Sequence, residues 1–546
     1  MKVAAGMDGQ QKPVNRLKGL KSVSLLTLLS RFTGLARDAL MASLFGTGWV
    51  LDAFTVAFRV PNLFRRLFGE GAMAAAFLPE FVRVDEERGR EAATELFNGV
   101  AWRLLKILVI FLLAAEFALL GTWLLVPLSE RSALLCELSL ILMPYMVLIC
   151  MAGLYSAALN GVQHFVIPAV SSVVLNLAWL AAGLAAALLF LSDASQMIRL
   201  IAICLVFGGM LQLAMTAWKA SRYSIRMRTG RTAATSRDHT ARVFQAMGPV
   251  LIGLSITQIN GLIDGLLAWT LVSPNLDGNT FLSRFLLPEG TAAALYLGQR
   301  LYQFPLGVFA IALGTVLFPR FARHAASGDL EELSRDLLHG LQLVLVVGIP
   351  ASVGLWFMAE SITNLLFRYG QFGASASHMT AQMIAAYGLG VWAVSGLLIA
   401  NRVFYAAGDQ ITPMRQGLIC VGLNLIFDFL LLPVLGGPGL PIASILATVF
   451  QLGLALEVLR RRFLRIGRSA FVPILWRTVV ATLLMSLAGL GVLTLVSQWE
   501  NLLGVFAYRL VKVIVPIAAA VIVYVAVLSA VGLSPRRLLQ EPEWLE

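Results

Sequence analysis

The chain has 546 residues, of which 58% are hydrophobic and only 13% charged, and its mean hydropathy is +0.81. Because about a quarter of a soluble protein's residues are charged, and because the apolar residues here lie in runs of about 18 to 25, long enough to cross a bilayer, the composition excludes a soluble fold. The net charge of +12 does not indicate nucleic-acid binding, since the basic residues cluster in loops between apolar runs.

The apolar runs predict an all-α polytopic membrane protein with about fourteen transmembrane helices. All four cysteines fall inside these runs, so neither a disulfide framework nor a CxxC metal site is expected. The predicted helices cover residues 20–46, 52–80, 102–128, 133–157, 168–191, 197–218, 244–272, 291–320, 337–359, 380–406, 413–435, 439–460, 473–496 and 506–532.

The loop lysines and arginines are concentrated on alternate connections, as in the cytoplasmic loops of membrane proteins. With the N-terminus inside, this pattern places both termini in the cytoplasm. The cytoplasmic segments then contain Arg83, Arg88 and Arg90, the basic stretch 219–243, Arg320, Arg323 and Arg335, and Arg460, Arg461 and Arg462.

The chain repeats short motifs at nearly one spacing. Phe77-Leu-Pro79-Glu-Phe81-Val-Arg83 is followed 240 residues later by Leu317-Phe-Pro319-Arg-Phe321-Ala-Arg323, and Leu175-Asn176-Leu177 recurs 248 residues later as Leu423-Asn424-Leu425. Parallel repeats indicate two six-helix lobes with a substrate site between them. The predicted division is a cytoplasmic tail at 1–19, an N-lobe at 20–218, a basic linker at 219–243, a C-lobe at 244–462, two further helices at 463–532 and a cytoplasmic tail at 533–546.

Charged residues in the first two helices are costly in hydrocarbon, about 2.5–3.5 kcal/mol each on insertion scales, unless they face a cavity or a partner. Counted from Gly48, Arg37 and Arg59 each lie 11 residues away, and Arg31 and Arg65 each lie 17 away. These arginines therefore form a predicted ladder that rises from the cytoplasmic side, and Arg300 adds a cation from the other lobe. Guanidinium groups bind phosphate oxygens in a bidentate manner, so a diphosphate is a natural ligand.

A structural role is the alternative for each of these charges. Arg66 and Glu70 are one helical turn apart and can pair, Arg37 can pair with Asp38 or Asp52, and residues near helix ends can extend to the membrane surface. A related hypothesis is that Asp38 and Asp52 close an outer gate by pairing with Arg37.

A second polar group is predicted in the C-lobe. Asp264, Asn424, Asp428 and Ser444 supply carboxylate, amide and hydroxyl oxygens, the ligands that a hard cation prefers. Buried acids without a cation must otherwise protonate, so this group is a candidate site for Na⁺ or proton coupling. The alternative is that Asp428 is hydrated near a helix end.

Several motifs resemble those of the MurJ (MviN) lipid II flippases, and the resemblance spans about residues 20–530. The most specific block reads Ser30-Arg31-x-x-Gly34-x-x-Arg37-Asp38, Asp52-Ala-Phe54 and Phe58-Arg59-x-Pro61-Asn62-Leu63-x-Arg65-Arg66-x-Phe68-x-Glu70-Gly71-Ala72. Further matches are Gln258-x-Asn260, Arg300-x-x-x-x-Pro305-x-Gly307, Ala312-Leu-Gly314-Thr-Val-Leu-Phe-Pro319 and Phe404-Tyr405-Ala406-x-x-Asp409-x-x-Thr412-Pro413.

The resemblance implies the fold of the multidrug/oligosaccharidyl-lipid/polysaccharide (MOP) exporter superfamily, with two lobes around a cationic cavity and a lipid-tail groove along the last two helices. It implies movement of lipid II, undecaprenyl-diphosphate-MurNAc-pentapeptide-GlcNAc, from the inner to the outer leaflet. The family's cavity arginines correspond to Arg31, Arg37, Arg65 and Arg300, its functional acids correspond to Asp52 and Glu70, and Arg59 stands where other members can carry lysine.

Two features depart from the family pattern. Many relatives carry an acid just before the eighth-helix arginine, where this chain has Gln299, and this puts a gate salt bridge from that position in doubt. The loop at about 273–290 is longer than usual and has no assigned role.

Three other functions are weighed against this expectation. A cation-coupled multidrug exporter of the same superfamily would need acids and aromatics in the N-lobe, where this chain has arginines. A flippase for another lipid-linked glycan would show the same charged helices, and only the family motif separates it from a lipid II flippase. A membrane enzyme such as a glycosyltransferase would need a catalytic constellation, which the short outer loops do not show. We therefore expect a monomeric transporter, not an enzyme, without a cofactor other than a coupling Na⁺ or H⁺, that contacts lipid II and membrane lipid but no nucleic acid.

Overall fold

The structure is a computed structural model that describes residues 14–190, 193–228, 234–272, 285–462 and 471–533. At a few positions inside these ranges, Glu70 among them, the side chain lies outside the description. Most of both predicted tails and residues 273–284 of the predicted long loop also lie outside the described residues.

The described residues form α-helices joined by short connections, with two π-helical segments and no β-strand among them. The helices are α1 Val14–Phe45, α2 Trp49–Phe64, α3 Ala72–Leu125, α4 Glu130–Gly161, α5 Val166–Leu189, α6 Ala194–Ser221, α7 Ala234–Thr270, α8 Thr291–Pro305, α9 Ile311–Ser327, α10 Leu330–Leu366, α11 Ala374–Gly388, α12 Val391–Ala406, α13 Ile411–Leu435, α14 Gly439–Arg462, α15 Val472–Ser497 and α16 Val505–Ala530. The π-helical segments are Arg65–Gly71 and Leu306–Ala310.

Each predicted helix corresponds to one or more of these elements, so the all-α prediction is confirmed. Several boundaries differ by a few residues or more, those of α7 and α10 among them, and two differences change how the helices are divided. The predicted loop 81–101 is helical within α3, because its glutamates, arginines and alanines favour helix, and the helix breaks only at Gly89, where φ is 83°. The predicted helix 380–406 is two helices bent by 42° between Gly388 and Val391, where paired glycines weaken the helix.

Among the described helices, ten are long and apolar enough to cross a membrane, or eleven if the bent pair α11 and α12 is one span. The helices that do not meet this criterion include α1, α2 and α7, which contain several of the charged residues of the candidate site, Arg37, Asp52 and Asp264 among them. Large apolar side chains elsewhere are exposed, such as Phe117, Leu125 and Ile522. Such surfaces are stable only against lipid, so the chain is a multi-pass membrane protein.

The chain divides into two compact units. Unit 1 comprises Met1–Leu40, Val60–Leu128 and Cys136–Val250, and unit 2 comprises Met41–Arg59, Ser129–Leu135 and Leu251–Glu546. Helices α1 and α2 thus each contribute to both units. The predicted lobe boundaries stay a prediction.

Unit 2 has a core in which α9, α10, α12 and α14 meet, with Phe321, Leu337, Phe404 and Ala455 fully buried. Helices α15 and α16 pack on each other and on α10, and Val346, Ile474, Ala481 and Leu528 form the contact. The two C-terminal helices therefore pack on unit 2 mainly through α10.

Both π-helical segments follow a proline. Pro61 lies inside α2, four residues before the segment that starts at Arg65, and Pro305 ends α8 directly before the second segment. A proline lacks the amide hydrogen that the preceding turn needs, and one inserted residue in a wider turn accommodates the loss. One segment thus begins at Arg65, and the other begins six residues after Arg300.

Candidate functional site

Arg37 lies at the centre of a polar contact in unit 1. Its Nε and Nη2 donate to Asp38 Oδ1 at 3.0 and 2.6 Å, and its Nη1 donates to Asn176 Oδ1 at 3.0 Å. The guanidinium also lies 4.3 Å from the centroid of the Trp179 ring. Arg37 and Asp38 are both buried, so the predicted pairing of this arginine with Asp38 is present, inside one helix.

Asn176 positions that arginine. Its Nδ2 donates to the Ser30 carbonyl at 3.0 Å and to Thr33 Oγ1 at 3.3 Å, while its Oδ1 accepts from Arg37. A Cβ on Gly34 would lie 3.5 Å from Asn176 Nδ2, so a small residue at this position keeps α1 close to α5. The amide therefore connects α1 to α5 and orients Arg37.

The other two predicted arginines of unit 1 are more accessible. The Arg31 side chain is exposed, and Arg65 is half-buried. Arg65 Nε donates to Asn62 Oδ1 at 3.0 Å, one turn earlier. Glu70 is the predicted acid near them, but its side chain lies outside the description. The two accessible cations of this unit are thus placed on α1 and at the start of the π-helical segment.

Asp52 caps a helix in unit 2. It is fully buried, and its two carboxylate oxygens accept from the backbone amides of Gly290 at 2.8 Å and Ala293 at 2.7 Å. These amides begin α8, whose dipole favours a negative charge at that end. The pairing of Asp52 with Arg37 in an outer gate stays a prediction, and in this structure the Asp52 carboxylate caps α8.

The backbone next to Asp52 requires glycine. Gly290 has a φ of 85°, and a Cβ on it would overlap the Thr47 carbonyl. Arg131 lies in the same unit, where its guanidinium lies 3.9 Å from the Trp269 ring centroid and its Nη2 donates to the Trp269 carbonyl at 2.9 Å. Asp52 also attracts Arg131 electrostatically. In the sequence Arg131 looks like an ordinary loop arginine, because only its tertiary neighbours distinguish it.

Arg300 is half-buried in unit 2, on α8. Its Nη2 donates to Tyr296 Oη at 3.1 Å, and its guanidinium lies 5.3 Å from the centroid of that ring. Tyr296 is one turn earlier on the same helix, so the contact holds the arginine along its own helix.

Arg59 also belongs to unit 2, where it contacts α7. Its Nη1 donates to the Gly261 carbonyl, and a Cβ on Gly265 would overlap the guanidinium. Gly261 and Gly265 are one turn apart, and together they form a glycine face on α7. A larger residue at Gly265 would fill the space that the guanidinium takes, whereas a Cβ on Gly261 would lie 3.9 Å from Nη1, an ordinary contact distance. The spacing of Gly261 and Gly265 is the sequence signal for this contact.

The four residues of the predicted cation site lie together in unit 2. Asn424 Nδ2 donates to Asp264 Oδ1 and to Asp428 Oδ2, both at 3.0 Å, and Ser444 Oγ donates to Asp264 Oδ2 at 3.0 Å. Asp264, Asn424 and Asp428 are buried. Sequence spacing predicted only the Asn424–Asp428 turn, whereas the packing of α7, α13 and α14 brings in the other two residues.

Comparison with known sequences identifies relatives along most of the chain. A family profile described as lipid II flippase MurJ matches residues 41–511. A protein of Rhizobium tropici named probable lipid II flippase MurJ is 32% identical over 539 residues, which cover 96% of each chain. The lipid II flippase MurJ of Burkholderia cenocepacia is 30% identical over 437 residues, which cover 79% of this chain and 81% of that protein.

Solved structures of related fold include lipid II flippase MurJ in an inward closed conformation. It matches with a TM-score of 0.70 at 21% identity, covering 93% of this chain and 98% of that one. An inward-facing multidrug resistance MATE transporter of the MOP superfamily matches with a TM-score of 0.64 at 12% identity, covering 80% and 94%. These likenesses confirm the predicted superfamily fold.

Proposed function

This chain belongs to the MurJ family of lipid II flippases, and from that premise we propose that it moves lipid II from the inner to the outer leaflet of a bacterial cytoplasmic membrane by alternating access. It is a transporter of the inner membrane with both termini in the cytoplasm, and it works as a monomer without catalysing a covalent step. The positive-inside distribution of the loop arginines supports this orientation.

The observation that carries the proposal is the position of the accessible arginines. In an otherwise apolar chain, Arg31 is exposed while Arg65 and Arg300 are half-buried. Arg65 begins one π-helical segment, and Arg300 precedes the other by six residues. A permanently charged guanidinium inside a membrane helix is retained for a function, and its planar fork suits a diphosphate better than a cationic drug.

The polyprenyl tail of the cargo is proposed to lie along α15 and α16. These helices are apolar, and Leu483, Leu487 and Ile522 on them are more than half exposed. Because both helices pack on α10 of unit 2, a tail held there remains in a lipid-like environment while the polar head passes through the protein.

Coupling to a cation is proposed at the Asp264 cluster. Asp428 Oδ1 and Asn424 Oδ1 are buried and, within the described residues, accept no hydrogen bond. Carboxylate, amide and hydroxyl oxygens fit Na⁺, and Asp264, Asn424, Asp428 and Ser444 would hold it. A bound cation would supply the positive charge that two buried carboxylates need, and a proton is the alternative.

A complementation experiment tests the flippase function. The native lipid II flippase of a depletion strain is replaced by this chain, and the amount of lipid II cleaved by a toxin that acts only at the outer face is measured. We expect wild type to restore cleavage, and Arg31→Ala, Arg65→Ala and Arg300→Ala each to reduce it by about tenfold or more, since each loses a charge-assisted contact of about 1.5–3 kcal/mol.

The matched control is Arg335→Ala. Arg335 is exposed and pairs with Glu332 at 2.5 Å, so its loss removes the same charge without affecting the proposed cavity, and cleavage should stay at the wild-type level. Membrane levels of all variants are compared by immunoblot. If the inserted wild-type chain leaves lipid II at the inner face but exports another lipid-linked glycan or a drug, lipid II is the wrong cargo.

A further inference from the structure

Arg59 is a half-buried residue whose surroundings in unit 2 satisfy only part of its guanidinium. Nη1 donates to the Gly261 carbonyl, but Nε and Nη2 are buried and, within the described residues, have no hydrogen-bond partner. A buried guanidinium is stable only when nearby groups compensate its lost hydration. Its compensation must therefore come from nearby negative charge.

The nearest such charge on α7 is Asp264, which lies between the two glycines of the glycine face. Asp264 and Arg59 attract each other electrostatically. The neighbouring Gln299 side chain, whose Nε2 would lie 3.7 Å from a Cβ on Gly261, is neutral. Thus the Asp264 carboxylate, which belongs to the candidate cation site, is also a counter-charge for Arg59 of α2.

Arg59, which Asp52 also attracts, and a bound cation therefore share one carboxylate, that of Asp264. Asp264 and Asp428 are bridged by Asn424, and together they carry two negative charges at most. With Arg59 on the glycine face, a cation at the cluster experiences repulsion from the guanidinium inside a medium of low polarity, where Coulomb interactions are strong.

We propose that Arg59 is an intramolecular competitor of the coupling cation. Its guanidinium on the Gly261–Gly265 face weakens cation binding at the Asp264–Asp428 cluster, and its departure strengthens that binding. This inference rests on the proposed function, since it joins the proposed cation site to the proposed anionic cargo. Because such coupling is reciprocal, cation binding releases the guanidinium, and a diphosphate that attracts Arg59 away from α7 raises the affinity for the cation.

The test is equilibrium binding of radioactive ²²Na⁺ to the purified full-length chain in lipid nanodiscs, with ionic strength kept constant by N-methylglucamine chloride. Arg59→Gln removes the competing charge, and Gly265→Ala displaces the guanidinium without removing it. We expect each variant to bind Na⁺ at least about 5-fold more tightly than wild type, the lower end of typical coupling strengths. The two changes act by different routes, so agreement between them excludes a misfolding artefact.

Three further measurements complete the design. Asp428→Asn should abolish binding. Arg402→Gln, which removes an equal charge from unit 2 where the Arg402 guanidinium lies 5.5 Å from the Phe318 ring centroid, should leave the affinity at the wild-type value. Undecaprenyl diphosphate should tighten Na⁺ binding to wild type and have no such effect on Arg59→Gln.

Wild-type Na⁺ affinity in both Arg59→Gln and Gly265→Ala, together with loss of binding in Asp428→Asn, would overturn the competitor role and leave the cation site intact. Absence of Na⁺ binding in wild type and in Arg59→Gln would overturn the cation site and this inference with it. Neither outcome affects the outer-face lipid II assay, so the flippase function is decided separately.

Discussion

At the residue scale, two asparagines at corresponding positions of the repeat have opposite hydrogen-bonding roles. Asn176 Oδ1 accepts from the cation Arg37, whereas Asn424 Nδ2 donates to the anions Asp264 and Asp428. An amide carries both a donor and an acceptor, so one residue type serves either sign of charge. The repeated Leu-Asn-Leu motif predicts the shared position, and only the neighbours in the fold decide which amide atom is used.

Asp409 is a second residue whose role its neighbours define. Its carboxylate accepts from the Thr412 backbone amide at 2.9 Å, from Thr412 Oγ1 at 2.6 Å and from Arg462 Nη1 at 2.7 Å. It therefore connects the start of α13 to the end of α14. Partial burial opposes ionisation of this group, but these hydrogen bonds outweigh it and hold the pKa of Asp409 below its ordinary value of 3.8.

A pH-dependent contribution to stability follows from that pKa. Since the folded-state pKa is depressed, the contribution is present above 3.8 and is lost as the pH falls through the folded-state value. We expect Asp409→Asn to lower the free energy of unfolding by about 0.2–1 kcal/mol, because the pair is largely exposed. The deficit should be constant from about pH 5 to pH 8 and should vanish only below about pH 4.

The thermal unfolding midpoint of purified protein across this range measures the effect. Arg462→Gln is the companion variant, because it removes the ion pair and keeps the hydrogen bonds between Asp409 and Thr412. At neutral pH it should show most of the loss of unfolding free energy that Asp409→Asn shows. A deficit that grows between pH 5 and pH 8 would contradict the assignment to Asp409.

At the element scale, close helix contacts depend on glycine. A Cβ on Gly348 of α10 would lie 2.8 Å from the Cα of Trp392 on α12, and one on Gly390 would lie 2.5 Å from Ile445 Cγ1 on α14. Within a bilayer, helices associate through close packing at small residues. The sequence shows many glycines in apolar helices, but it does not distinguish those at crossings from those that face lipid.

Two glycines of the same helix provide a matched comparison. Gly348→Ala should lower the free energy of unfolding by about 1–3 kcal/mol, because the added methyl group meets the backbone of α12. Gly354→Ala, where no atom lies within 4 Å of the new Cβ, should change it by no more than about 0.5 kcal/mol, or should raise it through better helix propensity. Thermal unfolding in one detergent measures both, and equal shifts would show that α10 and α12 do not cross at Gly348.

At the scale of the whole molecule, the exposed apolar surface and the distribution of charge define a membrane orientation. Helices with exposed Leu, Phe and Ile side chains lie beside others that contain Arg37, Asp52 and Arg59. Exposed apolar side chains and buried charges are separated even within one helix, since α1 has exposed Leu25 and Phe32 as well as buried Arg37. This separation is expected of a transporter, since charges in a membrane protein face partners or a cavity.

Cysteine labelling tests the proposed orientation. Ser327→Cys lies at an exposed position predicted to be cytoplasmic, and Asn501→Cys lies at an exposed position predicted to be outside. In intact spheroplasts, a membrane-impermeant maleimide should label Asn501→Cys about tenfold or more above Ser327→Cys, because a charged reagent does not cross hydrocarbon.

Permeabilisation should make the labelling of the two variants equal. The unsubstituted chain, whose Cys136, Cys150 and Cys420 are buried, gives the background labelling. The reverse labelling pattern would invert the orientation.

The sequence by itself determined the all-α membrane class, the approximate extent of each helix and the identity of the charged residues, because hydrocarbon thickness and the cost of burying charge act on local composition. It did not determine how each charge is compensated. Asp52 caps α8, Asn176 orients Arg37, and a glycine face on α7 receives Arg59. These contacts join residues more than a hundred positions apart, so their geometry exists only once the helices have packed.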